Sequence, residues 1–271
     1  MRDHALRALA LSITAAVLVV LAPNAAFAQE KSADPPKKVL VELYTSQGCD
    51  SCPPASDLLG KLAGMGYGPD RIVPLNFHVD YFNTPWEDPF SDPSYSDRQQ
   101  SYNQVMQRTD LYFTPLMMVD GRYPFLGSNR EQAVAALRQA RNEPARVALK
   151  LNLDGSDIQK TATVKLNARV ADVAGRDLLI GLALTQDRVA TKVPSGENAG
   201  KTLVEYHVVR RLDHKFVKLD RTEPKTLVFP VSLPTGSDPA HVRVTAFAQD
   251  RANGKIYQAD AIPWTPSTTG H

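Results

Sequence analysis

The chain has 271 residues, 43% of them hydrophobic, and a formal net charge of +2. That charge is spread along the chain, so no basic stripe marks a face for nucleic acid. Only two cysteines occur, too few for a disulfide scaffold.

At the start, Arg2 and Arg7 precede a stretch from Leu9 to Leu21 that is apolar apart from Ser12 and Thr14. Ala26-Phe27-Ala28 follows as a small-x-small cleavage site. Residues 1–28 therefore read as a signal peptide, with a mature chain from Gln29 delivered to the periplasm or secreted. Disulfides form there. No cysteine follows the signal, which argues against a lipid anchor, and no later apolar run is long enough to span a bilayer.

Residues 38–45 read as a buried strand, and Ala55, Leu58, Leu59, Leu62 and Ala63 fall at helical spacing within 53–64. Between them stands Cys49-Asp50-Ser51-Cys52, which contains both cysteines. The spacing puts the first sulfur at a helix N-terminus, where the dipole and free backbone N–H groups favour a thiolate. A thiolate is the attacking species in thiol–disulfide exchange. The nearby Asp50 carboxylate opposes it by like-charge repulsion. Cys49 reads as the more exposed nucleophile, and Cys52 as the resolving thiol one turn inside the helix. Pro53 and Pro54 suit a first helical turn, where missing N–H groups cost little. A plain structural staple is the competing reading, although so small a loop gains little stability from closure.

A strand at 72–78 comes next, ending in His78. His78 and Asp80 at i and i+2 share a strand face. They read either as a ligand or base pair near the dithiol, or as a histidine held by a carboxylate. The loop from Asn83 to Asp97 carries Trp86 among prolines and acids, and long loops of this kind are often functional. It reads as a substrate-contacting rim or a packed loop. A helix at about 94–109, strands at 116–120 and 122–126 and a helix at 129–141 follow. Asp120-Gly121 suits a two-residue hairpin turn, and Ser128 or Asn129 can cap the last helix.

Composition changes at Asn142-Glu143-Pro144. Afterwards strands alternate with period two at 147–153, 162–170 and 242–248, with further strands at 178–185, 203–212, 215–219, 225–233 and 255–262. An antiparallel sandwich is the simplest packing for them. The loop from Gly196 to Lys201 either folds against the dithiol or joins two strands. His207, His214 and His241 have no metal spacing and read as structural. The ends, 29–36 and 265–271, read as tails.

The element order of the first half, with Thr114-Pro115 immediately before a strand, resembles a thioredoxin-like domain. More narrowly, the run from Tyr44 to Ala55, Phe77-His78-Val79-Asp80-Tyr81 and Tyr112-Phe113-Thr114-Pro115 resemble the exported bacterial proteins grouped as domain of unknown function 1223. So do the run from Gly196 to Leu203 and Val208-Val209-Arg210. The resemblance implies an α/β thioredoxin-like domain over 36–143, followed by an all-β sandwich-like domain over 145–265. It also implies that Pro115 is a cis-proline beside the sulfurs and that Thr114 contacts substrate.

Together these readings give an exported thiol–disulfide oxidoreductase acting through Cys49 and Cys52, with protein or small-molecule thiols and disulfides as partners. Thr114 and Pro115 would bind substrate, and His78, Asp80 and Trp86 would be accessory. No cofactor or resident metal is called for. Two alternatives stand beside it: a carrier of Cu(I) using the same dithiol, since that ion suits two thiolates and a histidine, and a non-catalytic thioredoxin-fold binding module without exchange activity, its function centred on the β-domain.

Overall fold

The structure is a computed structural model and describes residues 36–220 and 223–265. The expected signal peptide and the outer parts of both expected tails lie outside these residues. The described residues belong to one unit, Asp34–His271.

In chain order the strands and helices are β1 (Val39–Thr45), α1 (Pro53–Lys61), β2 (Ile72–His78), α2 (Pro93–Val105), β3 (Leu116–Val119), β4 (Tyr123–Leu126) and α3 (Arg130–Arg141). The second half adds β5 (Val147–Gly155), β6 (Gln159–Ala168), β7 (Asp177–Gln186), β8 (Val189–Lys192), β9 (Thr202–Glu205), β10 (Val208–Lys218), β11 (Lys225–Ser232), β12 (Val242–Asp250) and β13 (Ile256–Pro263). Local chemistry accounts for the element ends. Prolines open α1 and α2, and the Asp92 side chain caps α2 by accepting from Ser94 N. Asn129 caps α3 by accepting from Gln132 N. Asp120 and Gly121 take positive φ angles of 59° and 66°. The register pairs Val119 with Tyr123, so the connection holds three residues, one more than expected.

One mixed sheet of eight strands runs β13-β12-β7-β10-β2-β1-β3-β4. Its centre is parallel, β10 with β2 and β2 with β1, and its other pairings are antiparallel. A second sheet, β11-β6-β5, and the β8-β9 hairpin complete the strands among the described residues.

This architecture corrects the expected fold class. The protein is mostly β, with three α-helices among the described residues, and is not an α/β thioredoxin-like domain followed by a separate sandwich. The cause lies at β2. Its outer edge would be an open row of backbone groups in an isolated domain, but β10 pairs there through Val208 and Asn76, and Asn76 N donates to His207 O at 2.9 Å. Strands of the second half thereby join the first half's sheet.

Three cores follow. Leu43, Ala55, Leu59, Met117 and Leu137 pack α1 and α3 onto one face of the sheet. On the opposite face, Tyr44, Phe77, Tyr95 and Tyr102 meet Ala183, Val209 and Phe247 from the second half. The third core fills the sandwich between β5-β6-β11 and β7-β12-β13, with Leu149, Val164, Leu182, Val244 and Trp264.

Candidate functional site

β1 ends at Thr45, and the chain turns through Ser46-Gln47-Gly48 into the cysteines. Gly48 sits under the backbone of Phe82: a Cβ there would stand 2.8 Å from Phe82 O. Cys49 and Cys52 are joined in a disulfide with Cα atoms 5.4 Å apart. Cys49 N donates to Ser46 O at 3.2 Å and Cys52 N to Cys49 O at 3.3 Å, closing successive turns.

Two expectations about this motif are corrected. Cys52 is the N-cap residue of α1, not a position inside it, because the prolines take the first two helical places. Free N–H groups are scarce at this helix start. Pro53 and Pro54 have none, and Ala55 N and Ser56 N both donate to Cys52 O, at 2.9 and 3.2 Å. Both cysteines are buried: Cys49 retains 2% of its accessible surface and Cys52 retains 1%.

The turn is held from the second half. The loop from Gly196 to Lys201, joining β8 to β9, folds against the disulfide. The Asn198 side chain, fully buried, donates from Nδ2 to Gln47 O and to Cys49 O, both at 2.9 Å. Glu197 Oε2 accepts from Asp50 N at 2.9 Å. Ser195 Oγ donates to Pro85 O at 3.2 Å, tying the same loop to the Trp86 segment.

Beneath the turn lies a buried ionisable cluster. His78 is wholly buried, with Nδ1 at 2.7 Å from Asp88 Oδ2 and Nε2 at 3.5 Å from Glu205 Oε1. Gln47 ties the two carboxylates together. Its backbone N donates to Asp88 Oδ2 and its Nε2 to Glu205 Oε2, each at 2.8 Å, while its Oε1 accepts from Trp86 Nε1 at 3.3 Å. Burial pulls the His78 pKa down, but the charges of Glu205 and Asp88 outweigh it and hold the ring at about 9. Burial pushes Asp88 up, and His78 together with the N–H groups of Gln47 and Phe90 brings it below the usual carboxylate range. With His78 as an imidazolium, two carboxylates share one cation in a buried place. Elsewhere buried carboxylates have a basic partner each: Glu42 with Arg98, Asp120 with Lys37 and Asp250 with Arg176.

The other sequence candidates divide. The Thr114–Pro115 bond is cis. Pro115 stands by α1, since a Cβ on Gly127 would meet Leu43 Cδ1 at 2.9 Å, Ala55 Cβ at 3.0 Å and Pro115 Cβ at 3.1 Å. Thr114 Oγ1 is buried without a hydrogen-bond partner. Trp86 reaches the cluster through Gln47. Asp80 does not: β2 ends at His78, the chain bends, and Asp80 instead bonds Ser96 through its own N–H and carboxylate. The partner of His78 is Asp88, ten residues on. Sequence reasoning missed Asp88, Glu205 and Gln47 as site residues. Asp88 is one of several acids in its loop, and nothing local marks Glu205, at the end of a short strand, as buried. A groove of about 460 Å³ runs alongside, between Pro53, Pro54, Ser56 and Asp57 of α1 and Thr202 to Glu205 of β9.

Solved structures share this fold, and two of them cover most of the chain. Protein AGR_C_4864 from Agrobacterium tumefaciens is 22% identical, with a TM-score of 0.67, covering 88% of this chain and 100% of that one. HBP35 of Porphyromonas gingivalis is 18% identical, with a TM-score of 0.66, covering 87% of this chain and 79% of that one. At such identities the likeness concerns the fold alone. No curated protein matches the chain. A family model described as a protein of unknown function, DUF1223, matches residues 40–249, and the chain belongs to that family.

Proposed function

We propose that the protein is an exported thiol–disulfide oxidoreductase whose exchanging pair is Cys49 and Cys52. The observation that carries this reading is the disulfide's setting: the turn bearing it is bonded to buried carboxylates that exceed their cationic partner. Closing a four-residue loop contributes little to stability, and burying unmatched charge costs several kcal/mol. A staple would need neither the cost nor the cover. Strongly perturbed titratable groups gathered at one place are more typical of a functional site.

In the reduced state, a Cys49 thiolate attacks one sulfur of a substrate disulfide, and the other substrate sulfur leaves as a thiolate. Cys52, after losing its proton, attacks Cys49 Sγ, releasing the second substrate thiolate and closing the Cys49–Cys52 bond. Two electrons pass to the substrate, and the reverse sequence oxidises a substrate dithiol. Thr114 and Pro115, by α1, offer a contact for the substrate, and Trp86 holds Gln47. Protein or small-molecule thiols are the partners in this reading, and the periplasm or the exterior is the compartment. Among the described residues no helix is long and apolar enough to cross a membrane. The Cu(I)-carrier alternative gains nothing from His78, whose ring nitrogens both face carboxylates.

The test is covalent trapping. Cys52→Ala should accumulate mixed disulfides through Cys49 when incubated with oxidised partners, and Cys49→Ala should accumulate none. No adduct with Cys52→Ala, from protein shown to be folded, would overturn the proposal.

A further inference from the structure

We propose that the β8–β9 loop is an autoinhibitory strap, and that exchange at Cys49 proceeds only from a state in which it has lifted. The inference rests on the exchange reading of Cys49 and Cys52 and adds its control. The loop, distant in sequence from the cysteines, holds the backbone of the turn that bears the disulfide, while Ser51 Oγ stands 3.3 Å from Cys49 Sγ. Asn198 holds the two carbonyls that flank Gly48, and Glu197 holds the N–H of Asp50. Lys201 Nζ in turn donates to Asn198 Oδ1 at 2.8 Å. An attacking thiolate must approach along the axis of the S–S bond, and a cysteine that retains 2% of its accessible surface leaves little room for one.

The loop is built to move as a piece. Gly196 and Gly200 bracket it with φ angles of 81° and 82°, a region other residues enter at a cost. A Cβ at Gly200 would meet nothing within 4 Å, so close packing does not explain that glycine. Both ends are otherwise fixed: Gly200 N donates to Val193 O at 2.8 Å and Val193 N to Lys201 O at 2.9 Å, closing the hairpin behind the strap. Its hold is four side-chain hydrogen bonds, three to the turn and one from Ser195 Oγ to Pro85 O, a grip of the size that opens on functional timescales. Lifting uncovers Gln47 O, Cys49 O and Asp50 N, two acceptors and a donor on the turn that bears Cys49, with Cys49 O keeping its bond from Cys52 N. An incoming polypeptide can pair with that set.

The rate at which a neutral phosphine, tris(hydroxypropyl)phosphine, reduces the Cys49–Cys52 bond tests the proposal. Each event consumes one phosphine and one water, and yields phosphine oxide and the dithiol, so the charge of the rim enters little. Asn198→Ala should accelerate reduction roughly tenfold, the scale of losing one to two net hydrogen bonds. Glu197→Ala, on an exposed residue whose removal should not prevent folding, should accelerate it about threefold, and Glu197→Gln less, because the amide oxygen still accepts from Asp50. Unchanged rates in the Ala variants overturn the strap; if Asn198→Ala does not fold, the Glu197 pair decides. The exchange reading fails separately: phosphine reduction faster in the variants, with no mixed disulfide trapped by Cys52→Ala, leaves a gated bond that is not an exchange site.

Discussion

His78 shows how the site departs from a local reading of residues. An imidazolium wedged between Asp88 and Glu205 has a folded pKa of about 9, above the unfolded value of about 6.5. The stability it contributes is fully present below about pH 6.5 and is lost as pH rises through 9. Asp88, depressed by the same contact, contributes stability above its unfolded value of about 4, lost as pH falls through its lower folded value. His78→Gln should therefore destabilise the protein by about 3 kcal/mol near pH 6. Its deficit relative to the parent, read from urea unfolding, should shrink above pH 9; a deficit independent of pH contradicts the charge assignment. Gly48→Ala is a second residue-scale case. The backbone oxygen of Phe82, 2.8 Å from the added carbon, yields little, so a loss of about 1–3 kcal/mol in the same assay is expected. The cysteine pair was legible because C-x-x-C between an apolar run and a helical one is a local pattern. Asp88 and Glu205 were not, since a carboxylate's burial depends on what folds over it.

At the scale of elements, side-chain periodicity located most strands and helices, because each of those buries one face. It failed for β8, whose four residues Val-Ala-Thr-Lys carry no sustained alternation, and it divided the long β10 in two. It could not see pairing. The bond between β2 and β10 is made by backbone groups that every residue carries, so its edge-to-edge choice leaves no mark in composition. Two consequences follow for a fragment of residues 36–143. It would lose β10 from the edge of β2, and it would expose the face that Val209 and Phe247 cover. Expressed alone, it should aggregate or unfold without a cooperative transition in denaturant. A soluble fragment with a sharp transition would show that the shared sheet is dispensable.

Across the whole molecule, Glu42 and Arg98 bind the parts together. Glu42 on β1 is fully buried; Arg98 of α2 donates to it from Nε at 2.6 Å, donates to Gln249 of β12 at 3.0 Å, and lies 4.7 Å from the ring centroid of Phe247. Tyr102 and Tyr44 also donate to Glu42, and burial, then the Glu42 charge, pushes both hydroxyls well above their ordinary range. Arg98→Met would strand the carboxylate at a cost of about 3–5 kcal/mol. The chain's two tryptophans report from opposite regions, Trp86 beside the disulfide and Trp264 buried in the sandwich, with Nε1 bonded to Asp157 O at 2.7 Å. Single-tryptophan versions should unfold with coincident midpoints, and Arg98→Met should lower both equally. Separate midpoints would mean that the two halves fold independently.

The central claim is that the Cys49–Cys52 bond takes part in exchange, and its redox equilibrium tests this most directly. Protein equilibrated with graded ratios of reduced to oxidised dithiothreitol, then acid-quenched and mass-analysed, gives the oxidised fraction at each ratio. The account expects one two-electron transition that is the same when approached from either side, with interconversion fast compared with an ordinary surface disulfide once Asn198 is replaced by Ala. A bond that stays closed across the whole range, or that does not re-form after reduction, would contradict it.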